Sequence, residues 1–337
     1  MMQVAVLSIA VVVAAQSAPA AELAPGYMQT DDSRDRARRE PPPDTGALYH
    51  LTWYGADYAA TAALAGVAWG LWPMLEPQPA LYGPRFDDAE PDLAAIQEPG
   101  LDRTIGAPYR ENTVPDLWLY LGGGTLALAA VGYESVRYQD WHAVHNLVLG
   151  GAEAVVMTYA VTEAIKTGVG RLRPDFRDRA TRYYCNPELG LRGSIAGLDC
   201  SVPDSDGVYM DQKDMRDGHR SFPSGHSSSA FALATYFALY LGGETVWGEH
   251  ASEWSVPVGA TLMTGLLGLA ATVAATRVSD GRHHLDDVAA GALVGSASSA
   301  LFYFLHHDLK GRPTYRGLTV APVALSDGAA LQLALRF

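Results

Sequence analysis

Six long apolar segments recur along the chain and predict six helices. They cover residues 51–75, 117–133, 147–166, 227–243, 256–276 and 288–305. Most contain 17 to 21 consecutive residues without a formal charge, close to the ~20 that cross a bilayer. The pattern therefore predicts an all-α fold, an antiparallel six-helix bundle embedded in a membrane. Buried helices of a soluble bundle are the alternative, because runs of similar length also occur there.

The two ends of the chain depart from this pattern. Residues 4–15 are apolar and precede Ala18-Pro19-Ala20, which predicts a signal peptide over residues 1–20. No Lys or Arg precedes the apolar run, so an uncleaved membrane helix is the alternative interpretation of these residues. Residues 21–50 are polar and read as an exposed leader. A helical-bundle domain is predicted over residues 51–308, followed by a tail over 309–337 with a short β-hairpin around Asp327-Gly328.

Composition narrows the class of protein. The 337 residues include 24 basic and 37 acidic side chains, for a net charge of −13. A chain this acidic is not expected to bind nucleic acid, which requires a basic face. Cys185 and Cys200 lie fifteen positions apart, and in an exported protein a disulfide between them is expected. Two reduced thiols are the alternative. A metal site is not expected, since no His at ligand spacing surrounds them.

Three short polar clusters stand at the ends of the predicted helices. They are Lys166 with Arg173-Pro174, then Pro223-Ser224-Gly225-His226, then Thr276-Arg277 with His283 and Asp287. Because consecutive helices of a bundle run antiparallel, these ends share one face. Taken singly, each cluster also fits a helix start, a solvated basic loop or charge flanking a membrane helix. Together they predict one site.

The residue types in these clusters suit a phosphate group. Lys166, Arg173 and Arg277 supply cationic donors. Ser224 and Gly225 open a helix, whose free N–H groups favour an anion. His226 and His283 can act as nucleophile or proton donor near neutral pH.

A carboxylate also follows one of the histidines at a helical interval. Asp287 lies four positions after His283, so on a helix the two share a face. The carboxylate could then hold one imidazole nitrogen protonated and aim the other at phosphorus.

At these residues the chain resembles the superfamily of type-2 phosphatidic acid phosphatases and vanadium haloperoxidases. The family pattern is Lys, six residues, Arg-Pro; then Pro-Ser-Gly-His; then Ser-Arg, five residues, His, three residues, Asp. The chain departs from it at Thr276, which replaces the Ser but keeps a hydroxyl. The resemblance covers about residues 50–308. Its spacing selects His283 and Asp287 over their neighbours His284 and Asp286.

The resemblance implies a role for each residue. His283 is the expected nucleophile, forming a phosphohistidine and oriented by Asp287. His226 is the expected general acid. The phosphate-binding residues are expected to be Lys166, Arg173, Ser224, Gly225 and Arg277. No metal or other cofactor is implied for this hydrolysis.

The expected function is a phosphatase acting on a phosphorylated lipid, a lipid pyrophosphate or a small phosphomonoester. A haloperoxidase holding vanadate in the same pocket and a non-catalytic envelope protein are the alternatives. The expected location is the inner membrane of a bacterial-type cell envelope with a periplasmic active site, or the periplasm itself for a soluble bundle. If the signal is cleaved and the first helix then spans the membrane, the end of the third helix and the active-site face lie in the cytoplasm. A disulfide on that face needs the oxidising side instead, so these three expectations cannot all hold.

Overall fold

The computed structural model describes residues 47–71, 107–137, 141–195, 197–314, 317–325 and 328–336. The chain divides into two compact units, one of residues 64–314 and the other of residues 1–63 with 315–337. The predicted signal peptide and residues 21–46 of the predicted leader lie outside the described residues.

The described residues are mostly helical, and each predicted apolar segment falls on a helix, the first of them as far as residue 71, where its described part ends. The first, α1 (Ala47–Gly66), continues into a π-helical turn (Val67–Leu71). The other long helices are α2 (Asp116–Arg137), α3 (Trp141–Val169), α7 (Gly225–Thr245), α8 (Ser255–Ser279) and α9 (Leu285–His306). Most of α1 belongs to the smaller unit, so a bundle of all six helices stays a prediction.

Three of the described helices are long and apolar enough to cross a membrane, judged by length and composition. They are His142–Val169, Ser255–Ser279 and Leu285–His306. Large apolar side chains face outward along α8, with Val258, Leu262 and Leu269 all at least half exposed. An exposed row of this kind is typical of a lipid-facing surface.

Helices α7 and α9 pack with their backbones in close approach. A Cβ atom added to Gly291 would lie 2.5 Å from the carbonyl oxygen of Ser224, and one on Gly295 would be closer still to that of Ser228. Any side chain at either glycine would force the helices apart. This contact brings the N-terminal parts of α7 and α9 together; His226 lies in the first turn of α7, and His283 lies just before α9.

The chain between α3 and α7 makes an excursion that returns to its starting point. It contains α4 (Phe176–Tyr184), α5 (Ser201–Asp206) and α6 (Gln212–Gly218). Its two ends are joined where the Arg173 amide donates to the Gly218 carbonyl at 2.8 Å and the Ser221 amide to the Arg171 carbonyl at 2.9 Å. We call residues 174–217 the pinned excursion.

The pinned excursion has an interior of its own. Phe176 and Met215 pack in a small buried apolar cluster, and Cys185 and Cys200 form a disulfide with their Cα atoms 5.6 Å apart. Arg179 is 1% exposed and pairs with Asp175 at 3.0 Å. The basic run after α3 is therefore largely buried and paired, rather than a solvated loop.

Two strands follow the helices, β1 (Gly317–Leu325) and β2 (Gly328–Arg336). They pair antiparallel, with Gly317 opposite Arg336 and Leu325 opposite Gly328. Ser326 and Asp327, which join them, lie outside the described residues. The predicted turn at Asp327-Gly328 thus stays a prediction.

Candidate active site

A cavity of about 770 Å³ lies between α2, α3 and α7, and the three polar clusters meet at one end of it. From the predicted set its wall includes Lys166, Arg173, Gly225, His226, Arg277 and His283. The volume is within the range of small-molecule sites. Residues separated by more than a hundred positions in the sequence thus share one chamber.

His283 is held by a backbone carbonyl. Its Nδ1 lies 2.8 Å from the carbonyl oxygen of Ser221, and its side chain is 3% exposed. Because a carbonyl only accepts hydrogen bonds, Nδ1 carries the proton and Nε2 keeps its lone pair. Burial and the nearby charge of Arg173 lower the pKa of His283 to about 3, against the opposing effect of Asp287. The imidazole is thereby kept neutral, as a nucleophile must be.

Asp287 supports this arrangement less directly than the spacing predicts. Its Oδ2 lies 3.6 Å from His283 Nδ1, while it accepts from the Ser221 hydroxyl at 2.5 Å and from the His284 amide at 2.8 Å. The two side chains lie within ion-pair distance, but not because they share a helical face: α9 begins at Leu285, so His283 precedes the helix. The other oxygen, Oδ1, accepts from Arg171 Nη1 at 2.8 Å.

Lys166 is supported from its own helix. Its Nζ lies 2.8 Å from Glu163 Oε1, and the other oxygen of Glu163 pairs with Arg220. Glu163 is thus held in an interior ion pair. A Cβ added to Gly225 would lie 3.0 Å from Lys166 Nζ, so the glycine leaves room for the ammonium group at the start of α7.

The two predicted arginines are anchored from behind. Arg173 Nη2 lies 2.7 Å from Asp217 Oδ1, and its Nε donates to the Asp217 carbonyl at 2.8 Å. Arg277 Nη2 donates to Asn112 Oδ1 at 2.7 Å. Its Nε and Nη1 are buried without a hydrogen-bond partner among the described residues. Buried guanidinium donors normally find acceptors, so this is a place where an anion would bind.

Ser224 lies behind the cavity wall. It is fully buried as the N-cap of α7, where its side chain accepts from the Ser227 amide at 3.4 Å. Its own amide donates to the Asp287 carbonyl at 3.0 Å. Ser224 therefore orients the first turn of α7, and its direct contact with phosphate stays a prediction.

His226, two residues after Ser224, lies on the cavity wall. Its Nε2 lies 3.2 Å from the carbonyl oxygen of Val114 and 3.1 Å from Asp116 Oδ1. Burial and the charge of Arg277 lower the pKa of His226 to about 4, whereas Asp116 acts in the opposite direction. The two charges therefore compete for control of this imidazole.

Sequence reasoning missed a segment that completes the site, residues 107–116, here called the bridging segment. It contributes Asn112, Val114 and Asp116, which contact Arg277 and His226. It is fastened at Thr113, whose hydroxyl donates to Asp280 Oδ1 at 2.6 Å. Its residues fall in the connection between the first two predicted helices, to which the sequence pattern assigned no role. The Asp116 carboxylate directly before an apolar helix was the available signal.

Away from its charged end the cavity becomes apolar. Its wall there includes Leu147, Val155 and Phe237, and Trp69 stacks on Tyr159 with ring centroids 5.0 Å apart. Along α3, the distance from Lys166 to Leu147 is roughly 28 Å at about 1.5 Å per residue. No group of three or more His, Cys, Asp or Glu side chains among the described residues could hold a metal ion.

Known proteins resemble this chain over its helical part. The sequence model of the PAP2 superfamily matches residues 126–310, more than half of the chain. The chain is 39% identical over 181 residues to "Probable diacylglycerol pyrophosphate phosphatase 1" of Schizosaccharomyces pombe, covering 52% of this chain and 59% of that relative. It is 32% identical over 200 residues to "Lipid phosphate phosphatase 1" of Arabidopsis thaliana, covering 58% and 55%.

A budding-yeast protein extends the comparison. "Diacylglycerol pyrophosphate phosphatase 1" of Saccharomyces cerevisiae is 35% identical over 162 residues, covering 48% of this chain and 51% of that relative. The chain thus spans between about half and three-fifths of the length of these three curated relatives. No solved structure gives a significant match.

Proposed function

Because the chain belongs to the PAP2 superfamily, we propose that it is a phosphatase that cleaves the phosphate from a phosphorylated lipid. The observation that carries the proposal is the position of His283 at the charged end of a long apolar cavity. Its neutral imidazole, held by the Ser221 carbonyl, shares that end with Lys166, Arg173 and Arg277. The nucleophile and the anion-binding groups therefore lie together at the end of the cavity where the phosphate head group of a lipid would bind.

The proposed reaction has two transfers. In the first, His283 Nε2 attacks phosphorus, the bond from phosphorus to the leaving oxygen breaks, and His226 supplies that oxygen with a proton. In the second, water attacks phosphorus, the phosphorus–nitrogen bond breaks, and His226 takes a proton from the water. Arg277, two of whose buried nitrogens have no hydrogen-bond partner in the described part of the chain, would stabilise the charge on the phosphoryl oxygens. The proposal assigns no step to a metal ion or other cofactor.

The shape of the cavity favours a lipid over a small phosphomonoester. An apolar wall that extends from Lys166 towards Leu147 offers burial to a hydrocarbon chain and nothing to a compact polar ester. The names of the similar yeast and plant proteins point to the same class of substrate. A lipid monophosphate and a lipid pyrophosphate both present a terminal phosphoryl group that fits the charged end.

We propose a membrane protein whose six apolar helices form one bundle, with the active site on the extracytoplasmic side. The three candidate spanning helices support the membrane location. The Cys185–Cys200 disulfide supports the side, because it lies in the excursion next to the charged end of α3 and needs an oxidising compartment. Placement in a bacterial inner membrane rests on the sequence pattern alone.

The test compares His283→Ala with His250→Ala, a substitution at an exposed histidine between α7 and α8. Phosphate release from short-chain phosphatidic acid in detergent micelles is expected for wild type and His250→Ala, and is expected to be lost in His283→Ala. When the protein reacts with substrate labelled in its phosphate and is then denatured rapidly without acid, label should remain on wild type and be absent from His283→Ala. Wild-type protein that releases no phosphate from any lipid phosphate would overturn the proposal.

A further inference from the structure

The proton donor of the proposed reaction stands in an unfavourable setting. His226 shares the cavity with the cations that hold phosphate, and burial together with Arg277 and Arg173 opposes a charged imidazole. A general acid must nevertheless carry a proton when substrate is bound. The carboxylates near His226 therefore determine whether its imidazole is protonated when substrate is bound.

The other ionisable groups of the cavity wall are already engaged or cationic. Glu163 pairs with Lys166 and Arg220. Asp217 pairs with Arg173 and Arg179.

Two further groups on the wall do not favour a protonated His226. Arg282 adds another positive charge, and His283 is neutral. Asp116, which belongs to the bridging segment, is the carboxylate that contacts His226 directly.

We propose that Asp116 is a positioning residue that, with the Val114 carbonyl, holds His226 by its Nε2–H and so selects Nδ1 for proton transfer. Both oxygens lie within about hydrogen-bond distance of the same nitrogen, at 3.1 and 3.2 Å. Since both can only accept, Nε2 is the protonated nitrogen in either charge state of the ring. The inference rests on the proposed phosphatase function and adds a residue to it.

The proton balance follows from this tautomer. Before the first transfer the ring carries protons on both nitrogens, and Nδ1–H passes to the leaving oxygen as its bond to phosphorus breaks. The ring is then neutral with Nε2–H still held by Asp116 and Val114. In the second transfer Nδ1 accepts the proton that water gives up. Asp116 keeps its negative charge throughout and stabilises the imidazolium at the start of the cycle.

A bound phosphate explains how the imidazolium forms despite the free-state pKa of about 4. The substrate brings negative charge between Arg277, Arg173 and His226, and this offsets the repulsion from the two guanidinium groups. Asp116 acts from the opposite side of the ring, on the nitrogen that faces away from the transferred proton. The two negative charges together favour the protonated form.

The test compares two substrates whose leaving groups differ in their need for a proton. A p-nitrophenolate leaves readily without a proton, whereas the alkoxide of phosphatidic acid does not. The measured quantity is kcat/KM, which reports the steps up to the first transfer. For Asp116→Asn we expect kcat/KM to fall at least about 10-fold with short-chain phosphatidic acid and less than about 3-fold with p-nitrophenyl phosphate. The alkaline limb of the phosphatidic acid profile should also move to lower pH.

Glu111→Gln is the matched control, because Glu111 is an exposed carboxylate of the same bridging segment. It should leave both substrates at wild-type values. Asp116→Glu should restore the activity on phosphatidic acid, since the carboxylate returns. If Asp116→Asn does not fold, Asp116→Ser is measured instead, because a serine keeps an oxygen at the start of α2.

The outcomes separate the inference from the function on which it rests. An equal fall with both substrates, or an unchanged pH profile, would mean that Asp116 only stabilises the N-terminus of α2, and the inference would be wrong. Wild-type protein inactive on both substrates would instead overturn the proposed function. A selective loss with phosphatidic acid, reversed by Asp116→Glu, would support both.

Discussion

The hydroxyl of Ser221 lies 2.5 Å from Asp287 Oδ2, and the carbonyl of the same serine lies 2.8 Å from His283 Nδ1. Asp287 itself is 3.6 Å from that nitrogen. The carboxylate therefore acts on the histidine through a relay of two neighbours, because the Ser221 hydroxyl and the His284 amide both donate to its Oδ2.

This relay makes the two side chains separable by mutation. Ser221→Ala removes one donor to Asp287 but keeps the backbone carbonyl, so kcat/KM should fall by about 10-fold or less. Asp287→Asn removes the charge that Arg171 and Ser221 support, and we expect a loss of about 100-fold or more. Steady-state hydrolysis of short-chain phosphatidic acid measures both. A larger loss in Ser221→Ala than in Asp287→Asn would contradict the relay.

Stability should depend on pH through His283. Its pKa is about 3 when folded against 6.5 in the unfolded chain, so folding favours the neutral ring. That contribution is complete above pH 6.5 and is lost as pH falls towards 3, by up to about 1.4 kcal/mol per pH unit. His283→Asn does not titrate, so its thermal midpoint should fall less steeply between pH 6.5 and 4.5. Parallel curves for wild type and variant would be the contrary result, with His250→Asn as the control.

Gly225 should be needed for activity rather than for stability. A methyl group there would lie 3.0 Å from Lys166 Nζ and displace the ammonium group, whose flexible side chain can withdraw. We expect Gly225→Ala to lower kcat/KM by about 10-fold and to leave the unfolding temperature unchanged or slightly raised. Gly168→Ala, on α3 with open space around it, is the matched control. Equal activities in the two variants would refute the crowding argument.

The disulfide should stabilise the pinned excursion. Cys185 and Cys200 close a loop with a sequence separation of 15, and a loop of that length contributes about 3 kcal/mol in the chain-entropy account. The double variant Cys185→Ser, Cys200→Ser should therefore unfold at a lower temperature, as should reduced wild type. An unchanged midpoint would show that the loop is held by its ion pairs alone.

The same cysteines report the side of the membrane. If the active-site face is extracytoplasmic, freshly prepared native membranes should contain the disulfide, and a maleimide should label the protein only after reduction. Labelling without reduction would place the excursion in a reducing compartment. The control is the double serine variant, which should remain unlabelled under both conditions.

The helices and the centre of the site could be predicted because they leave strong patterns. The second to sixth predicted apolar segments each lie within one long helix, and Arg173, His226 and His283 were selected by motif spacing. The family drawn from those motifs is confirmed by the match over residues 126–310. The close approach at Gly291 was not predicted, because its partner on α7, a helix that runs parallel to α9, could not be read from one sequence.

The surroundings of the site could not be predicted, for physical reasons. Val114 contributes a backbone carbonyl, which any residue could supply, so no residue type marks it. Asn112 meets Arg277 across 165 positions, a distance over which spacing carries no information. The relation of His283 to Asp287 depended on where α9 begins, and helix boundaries are poorly defined by sequence.

The hydrogen bonds at the base of the pinned excursion make the position of the active-site residues largely independent of the structure of the excursion. Because Arg173 is tied to Gly218 and Ser221 to Arg171, the phosphate-binding and nucleophile-supporting residues are fixed by the bonds at the base and not by the length of chain between them. Apart from Asp217, which anchors Arg173, residues within the excursion can be added or removed with little displacement of the catalytic groups. The excursion is consequently an exchangeable module, on which a new outer surface can arise while the chemistry beneath it is preserved.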